Sequence, residues 1–238
     1  MSSTAPRVLV FADSLAFYGP DGPLPADDPR LWPTIAAARL GGTLESFAGV
    51  GWTAREAYFS LAGDPRVWPL LPDIDALVLA VGSMDTLPSP LPSYLRQGIR
   101  YLRPDGLRRA VRRGYLGAQP VLSRALRGWP RALPSGLSVS YLDKTLCGIR
   151  TLRPGLPCVA VLPAVHRARS YGLIHTGKLP ARRAITAWAR RRSVTLVDLE
   201  AITGEHVLSG AGNDDGMHWG WAGHRAAGAG FAAALRAA

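Results

Sequence analysis

The stretch VLVFADSLAFYG, residues 8–19, decides how the chain is read. Apolar residues run from Val8 to Ala12 and stop abruptly at Asp13-Ser14, with Gly19 close behind. Such a run is what a strand buried on both faces looks like, and a polar pair at its end marks the strand's exit into a turn. Ser14 has two readings here: it caps the helix that follows, or it is a nucleophile presented at a strand end.

Four more runs share this character: TLESFAGV (43–50), ALVLAVG (76–82), CVAVLPA (158–164) and VTLVDL (194–199), beside RVLVFA (7–12). Helical patterns lie between them at 31–40, 53–61, 138–150 and 179–192, and a last one runs from about 221 to the end. Strands that alternate with helices predict an α/β domain, a three-layer α/β/α sandwich around a parallel sheet. At 238 residues with 47% hydrophobic content, one domain spanning 1–238 accounts for the chain without disulfides. Cys147 and Cys158 stand in no metal-ligand spacing, so reduced thiols and no metal are expected. MSSTAPR lacks the plan of a signal peptide, and no apolar run reaches the ~20 residues of a membrane span, so a cytoplasmic protein is expected.

Residues 88–135 break the rhythm. They are rich in Pro and Arg and read as an insertion of short helices after the third strand, placed to form a lid or a wall of a site. The net charge of +11 is carried almost wholly by arginine, the only lysines being Lys144 and Lys178. Within the insertion, ten arginines face a single acid, Asp105: Arg96, Arg100, Arg103, Arg108, Arg109, Arg112, Arg113, Arg124, Arg127 and Arg131. A solvated helical face, a nucleic-acid surface and a site for an anionic small molecule all fit that composition. No recognised nucleic-acid reader motif accompanies it.

Four short blocks sit at strand ends or before the last helix: ADSL (12–15), AGVGWTARE (48–56), VGSMDTLP (81–88) and NDDGMHWGWAGH (213–224). Each has a plain structural explanation taken alone: a cap at Asp13 or Ser14, a glycine turn at Gly49 and Gly51, a loop held by Asp85, a surface Asp/His pair. The spacing of Asp215 and His218 lets both face one side of a turn, as an orienting acid and a general base require. Asp214 and His224 lie nearby but outside that spacing.

In this fixed order the blocks resemble the SGNH, or GDSL, hydrolase superfamily over the whole chain except roughly 88–150. The resemblance implies a Ser14 nucleophile, the acid Asp215, the base His218, and an oxyanion hole at the Ser14 and Gly51 amides. Two positions depart from the pattern. The family's GDSL is ADSL here, and its GxND is GSMD, so Met84 stands where an asparagine donates to the oxyanion. A thioether has no N–H to give; Ser83 is a candidate replacement.

FADSLAFYG, VGSMDTLP and DGMHWGW are more specifically similar to a group of actinobacterial sugar acyltransferases in that superfamily. That similarity implies transfer of a medium-chain, octanoyl group from an acyl-CoA co-substrate to a hydroxyl of an anionic glucosylglycerate-type sugar, a step in making methylglucose lipopolysaccharides, with no other cofactor. An SGNH esterase or lipase is the alternative. Substrate contacts are then expected from Asp13, Trp52, Asp85, Arg108, Arg109, Arg112, Arg113 and Trp219, with Asp13 and Asp85 chiefly holding loops. Trp221 is a further candidate for stacking on sugar.

Overall fold

The computed structural model of the protein describes residues 5–238; Met1–Thr4, the start of the MSSTAPR stretch, lie outside the described residues. Five parallel strands form the central sheet: β1 (Arg7–Asp13), β2 (Thr43–Gly49), β3 (Ala76–Ala80), β4 (Cys158–Leu162) and β5 (Thr195–Asp198). Their order across the sheet is β2-β1-β3-β4-β5. Phe11 is in register with Phe47 on one side and Leu79 on the other. The chain therefore steps to one side of β1 and then to the other, which opens a crevice at the carboxyl end of β1.

Alternate residues of each strand feed two cores. Leu9, Phe11, Leu77, Leu79, Cys158 and Ala160 pack against α2 (Ala54–Gly63), α5 (Ser135–Leu152) and α6 (Lys178–Arg192). Val8, Val10, Val78, Val159 and Val161 pack against α1 (Trp32–Leu40), α7 (Leu199–Ser209) and α8 (Trp221–Ala237). The central strands β1, β3 and β4 are covered on both faces, which explains their unbroken apolar runs, while the edge strand β2 is partly buried and carries Glu45 and Ser46. Cys147 and Cys158 are free thiols, and burial pushes the Cys158 thiol up to about 12. Among the described residues no helix is long and apolar enough to cross a membrane.

Three expectations need correction. The third strand ends at Ala80 rather than residue 82, because Gly82 turns the chain with φ +116°. The last strand stops at Asp198, whose side chain accepts the Ala201 amide at 3.3 Å and caps α7, a helix the sequence pattern did not announce. In α7 the buried Leu199, Thr203 and Val207 are joined by an exposed Leu208, so no clean apolar stripe is visible. Residues 88–135 hold not only short helices, α3 (Ser93–Gly98) and a turn at Ile99–Tyr101, but also α4 (Asp105–Ala125), 21 residues long. Pro120 lies inside α4 without ending it.

The excursion leaves and returns at one point. Pro88 and Arg131 form an antiparallel bridge. The Ser89 amide donates to Pro130 O at 2.8 Å, and the Leu133 amide to Asp85 O at 3.0 Å. Asp85 is the brace beneath this junction. Its carboxylate accepts the Ala54 amide at 3.1 Å, at the start of α2, and the Ser138 hydroxyl, in α5. Burial pushes its pKa up to about 7, against the opposing effect of the Ser138 and Ala54 bonds.

The folded protein thus binds a proton at Asp85 that the unfolded chain, at the ordinary 3.8, has released. Its contribution is full below about pH 4 and is lost as pH rises through about 7. Asp85→Asn keeps an acceptor for the Ala54 amide and removes the charge. We expect this variant to match the parent in thermal stability at pH 5 and to exceed it at pH 8. A parallel pair of melting curves across that range would disprove the assignment.

Candidate active site

Ser14 lies at the crevice. β1 delivers the chain into a single turn, Ser14–Ala16, whose cap is Asp13: its carboxylate accepts the Leu15 amide at 3.0 Å. Asp13 is buried, and this burial raises its pKa to about 6, opposed by the Leu15 amide and by His218. Asp13 therefore fixes the turn that aims Ser14, and it also borders the small pocket behind Ser14.

His218 Nε2 is 2.8 Å from Ser14 Oγ, and His218 Nδ1 is 2.5 Å from Asp215 Oδ2. The other Asp215 oxygen accepts the amides of Met217 at 2.8 Å and His218 at 3.0 Å, so the three-residue spacing closes as a local turn. Gly216, at φ +74°, makes that turn possible. Asn213 anchors the loop. Its Oδ1 accepts the Asp215 amide at 3.0 Å, and its Nδ2 donates to Pro20 O at 2.7 Å. Tyr18 stacks on the His218 ring, centroids 4.2 Å apart. Burial opposes the charge on Asp215, but the His218 ring and the two amides together hold its carboxyl below the usual carboxylate range. The carboxylate fixes Nδ1 as the protonated nitrogen and leaves Nε2 as an acceptor for the Ser14 proton.

Gly51 and Met84 border the same crevice. Gly51 has φ +70°, a conformation that favours glycine, and a Cβ there would lie 3.9 Å from Met84 Cε. Met84 is almost fully buried and begins the turn Met84–Thr86. Ser83 Oγ accepts the Ala164 amide at 3.1 Å, which leaves its own proton to give.

Two spaces meet at Ser14. One is an open cleft of about 760 Å³ against the insertion, lined by Ser14, Gly51, Met84 and His218 together with Arg96, Arg100, Arg108, Arg109 and Arg112. Among the described residues no carboxylate lines it. The other is a small, mostly apolar pocket behind Ser14, with about 20 Å³ of free space. Leu15, Met84, Leu87, Val165 and Met217 line it, and His166 and His175 stand at its wall. Met84 and Met217 border both spaces. Burial pushes His166 down to about 4 and His175, with help from His166 and Lys178, down to about 3, so both rings are neutral at pH 7. His175 Nε2 lies 2.7 Å from Thr86 Oγ1, which itself donates to Ser83 O at 2.6 Å.

Several expected contacts fall elsewhere. Asp85 is beneath the site as a brace, not in it. Trp52 packs over Gly49 and lines a depression on the outer strand β2, with Phe47, Phe59 and Arg66. Trp219 is buried in the core against the His224 ring. Trp221 packs on Gly19 and under Arg30. Arg113 is exposed and does not line the cleft. His224, fully buried, accepts the Trp32 amide at 3.2 Å and bonds Tyr18 O at 2.9 Å. It is a structural histidine, and Asp214 is exposed.

Tyr18, His166, His175 and Met217 were not singled out from the sequence. Tyr18 and Met217 lie within the quoted blocks, two and one residues from attention. The two histidines come from the loop after β4, which has no distinctive spacing.

No family model matches the chain. Solved structures share its fold at low identity. A lipolytic protein of the G-D-S-L family from Desulfitobacterium hafniense superposes with a TM-score of 0.62 at 11% identity, covering 96% of this chain and 99% of that one. A lipase/acylhydrolase from Enterococcus faecalis gives 0.61 at 12% identity, covering 98% and 96%. Two relatives are far closer in sequence. The diglucosylglycerate octanoyltransferase of Mycolicibacterium hassiacum is 50% identical over 226 residues, 95% of this chain and 93% of its own. That of Mycobacterium tuberculosis is 50% identical over 221 residues, 93% of this chain and 88% of its own. The chain therefore has the SGNH hydrolase fold and belongs to the diglucosylglycerate octanoyltransferase family.

Proposed function

We propose that this chain moves an octanoyl group from an acyl-CoA-type thioester to a hydroxyl of diglucosylglycerate, with Ser14 as the nucleophile. The observation that carries the reading is the run of contacts from Asp215 through His218 to Ser14, at the mouth of an arginine-lined cleft. His218 Nε2 takes the Ser14 proton as Oγ attacks the thioester carbonyl. The tetrahedral oxyanion is met by the Ser14 and Gly51 amides and the Ser83 hydroxyl. Collapse expels the thiol, which leaves with the proton held on His218, and an acyl-serine remains. A sugar hydroxyl then attacks that ester, gives its proton to His218, and Ser14 is restored.

The two spaces suit the two halves of such a donor. Phosphates of a CoA-type donor, and the glycerate carboxylate, suit guanidinium forks in the cleft. The alkyl tail suits the apolar pocket, which opens as the flexible Met84 and Met217 side chains swing aside. Burying an octanoyl tail there contributes several kcal/mol at ~0.8 kcal/mol per methylene, before ordering costs.

Mass spectrometry after mixing with octanoyl-CoA tests the nucleophile. An octanoyl adduct on Ser14 should form, and should vanish on addition of diglucosylglycerate as octanoylated sugar appears. Ser14→Ala and His218→Ala should each fold and lose several orders of magnitude in turnover. Full activity in either variant ends the reading.

Neutralising Arg108, Arg109 and Arg112 together should raise the apparent KM for octanoyl-CoA about tenfold or more and leave hydrolysis of a short neutral ester nearly unchanged. Arg113→Gln, off the cleft, should change neither. Equal losses on both substrates would return these arginines to a structural role.

Met84→Asn places an amide beside the oxyanion and a polar group in the pocket wall. The expected result is more free octanoate relative to octanoylated sugar, with a weaker preference for octanoyl over acetyl donors. An unchanged ratio and an unchanged preference would remove Met84 from both functions.

A further inference from the structure

Ser83 does not do the local work that its position invites. It stands at the cap of the single turn Met84–Thr86, yet no side-chain hydrogen bond caps that turn. Its Oγ instead accepts the Ala164 amide at 3.1 Å, from the loop after β4, and its hydroxyl proton is left to donate. An amide that donates to a hydroxyl oxygen polarises the O–H and strengthens it as a donor. Ser83 borders the pocket behind Ser14 together with Met84 and His218.

A second strut reaches the same residue through Thr86. Thr86 is buried, and its Oγ1 donates to Ser83 O at 2.6 Å, beside the Thr86 amide at 3.2 Å. That bond uses the one proton of the Thr86 hydroxyl. His175 Nε2, 2.7 Å from the same oxygen, is therefore the donor of the bond between them. His175 is thereby fixed as the Nε2–H tautomer, and burial, pushing its pKa down to about 3, keeps the ring neutral. Gly177 seats the loop, because a Cβ there would collide with Thr86 O. Ser83 is thus held twice by the loop after β4: its hydroxyl oxygen by Ala164, its carbonyl by the Thr86–His175 pair.

We infer that His175 is a positioning residue for the chemistry at Ser14: through Thr86 it holds the Ser83 turn, so that the Ser83 hydroxyl meets the oxyanion in place of the amide that Met84 lacks. The inference rests on Ser14 being the nucleophile. A donor fixed in advance is worth more than a mobile one, because nothing has to reorder as the charge develops. The Ser83 hydroxyl is a rotor on a one-turn segment, and its aim is set by whatever fixes the backbone beneath it. The hydrogen bond of His175 is to Thr86, so its effect reaches the oxyanion at second hand and belongs to kcat rather than to substrate affinity. His175 also borders the pocket assigned to the alkyl tail. An acetyl substrate, which has no tail to bury, separates the two roles.

Hydrolysis of 4-nitrophenyl acetate by the full chain tests the link, since it needs Ser14 and an oxyanion hole but no tail, CoA or sugar. Ser83→Ala should lower kcat by about 10² or more. His175→Ala and Thr86→Val should each lower it by about tenfold, with KM within about twofold. In the Ser83→Ala background, His175→Ala should cost less than about twofold more, because the path ends at the hydroxyl already removed. His175→Gln, whose amide N–H can stand near the former Nε2, and Thr86→Ser, which keeps the hydroxyl, should return kcat to within about threefold of the parent. Should His175→Ala unfold, Thr86→Val against Thr86→Ser reads the same link. Nitrogen-15 shifts of the unaltered protein at pH 7 should report His175 as the Nε2–H tautomer. Independent losses from His175→Ala and Ser83→Ala, an effect on KM alone, or an Nδ1–H tautomer would each overturn the inference. Ser14→Ala that still hydrolyses the ester would end the proposed nucleophile itself. An inactive Ser14→Ala beside a fully active Ser83→Ala would end only the role of His175.

Discussion

A parallel sheet covered on both faces leaves few places for polar side chains. The three central strands, β1, β3 and β4, bury both of their faces in the two helix layers, and the edge strands β2 and β5 are partly covered, so the site is built from the loops at the carboxyl ends. β1 occupies the position where the strand order reverses, with β2 on one side and β3 on the other. The connections at that point diverge, and Ser14 fills the gap they leave. Gly51 comes from the loop after β2, Ser83 and Met84 from the loop after β3, and His166 from the loop after β4. Only the Asp215–His218 turn comes from outside the set, carried in just ahead of α8.

That edge is held by buried carboxylates, which is a costly choice. Asp13 and Asp85 are both nearly solvent-free, and burial raises both pKa values. A neutral brace would avoid the desolvation penalty. The carboxylates instead collect amides and hydroxyls that no strand pairing satisfies: Leu15 at the Ser14 turn, Ala54 at the α2 start, Ser138 in α5. The loops around Ser14 therefore gain definition from groups whose charge weakens the fold as pH rises. The family blocks ADSL and GSMD each carry one of them: Asp13 borders the pocket behind Ser14 while it holds the turn, and Asp85 acts one layer below the site.

How much of this was legible follows from where each signal resides. The strands were readable because both-face burial writes continuous apolar runs. Asp215 and His218 were readable because their whole geometry is a local turn three residues long. The tryptophans misled because an aromatic beside a motif carries no record of which way it points. Trp52 turns to the outer strand, and Trp219 turns into the core. His166 and His175 were missed for the opposite reason: their place in the pocket wall depends on long-range packing of the loop after β4 against Thr86. α4 combined both difficulties. The prolines and arginines suggested short, solvated helices, whereas α4 is one continuous helix and its Arg108, Arg109 and Arg112 line the cleft.

Met84 ties the site's two halves together. It stands between the arginine-lined cleft and the apolar pocket, at the position where an amide would have supported the oxyanion. In subtilisin, loss of one such donor lowers the rate by about 10²–10³. The proposed substrate tolerates part of that loss, because a thioester carbonyl is more electrophilic than that of an oxygen ester and a thiolate leaves more readily than an alkoxide. The second half-reaction, attack on the acyl-serine ester, has no such help. It depends on a correctly placed acceptor hydroxyl and on His218 held by Asp215 and Tyr18. An apolar side chain at residue 84 therefore penalises water, which gains nothing from placement, more than a bound sugar. We propose that the same position that weakens the oxyanion hole favours transfer over hydrolysis.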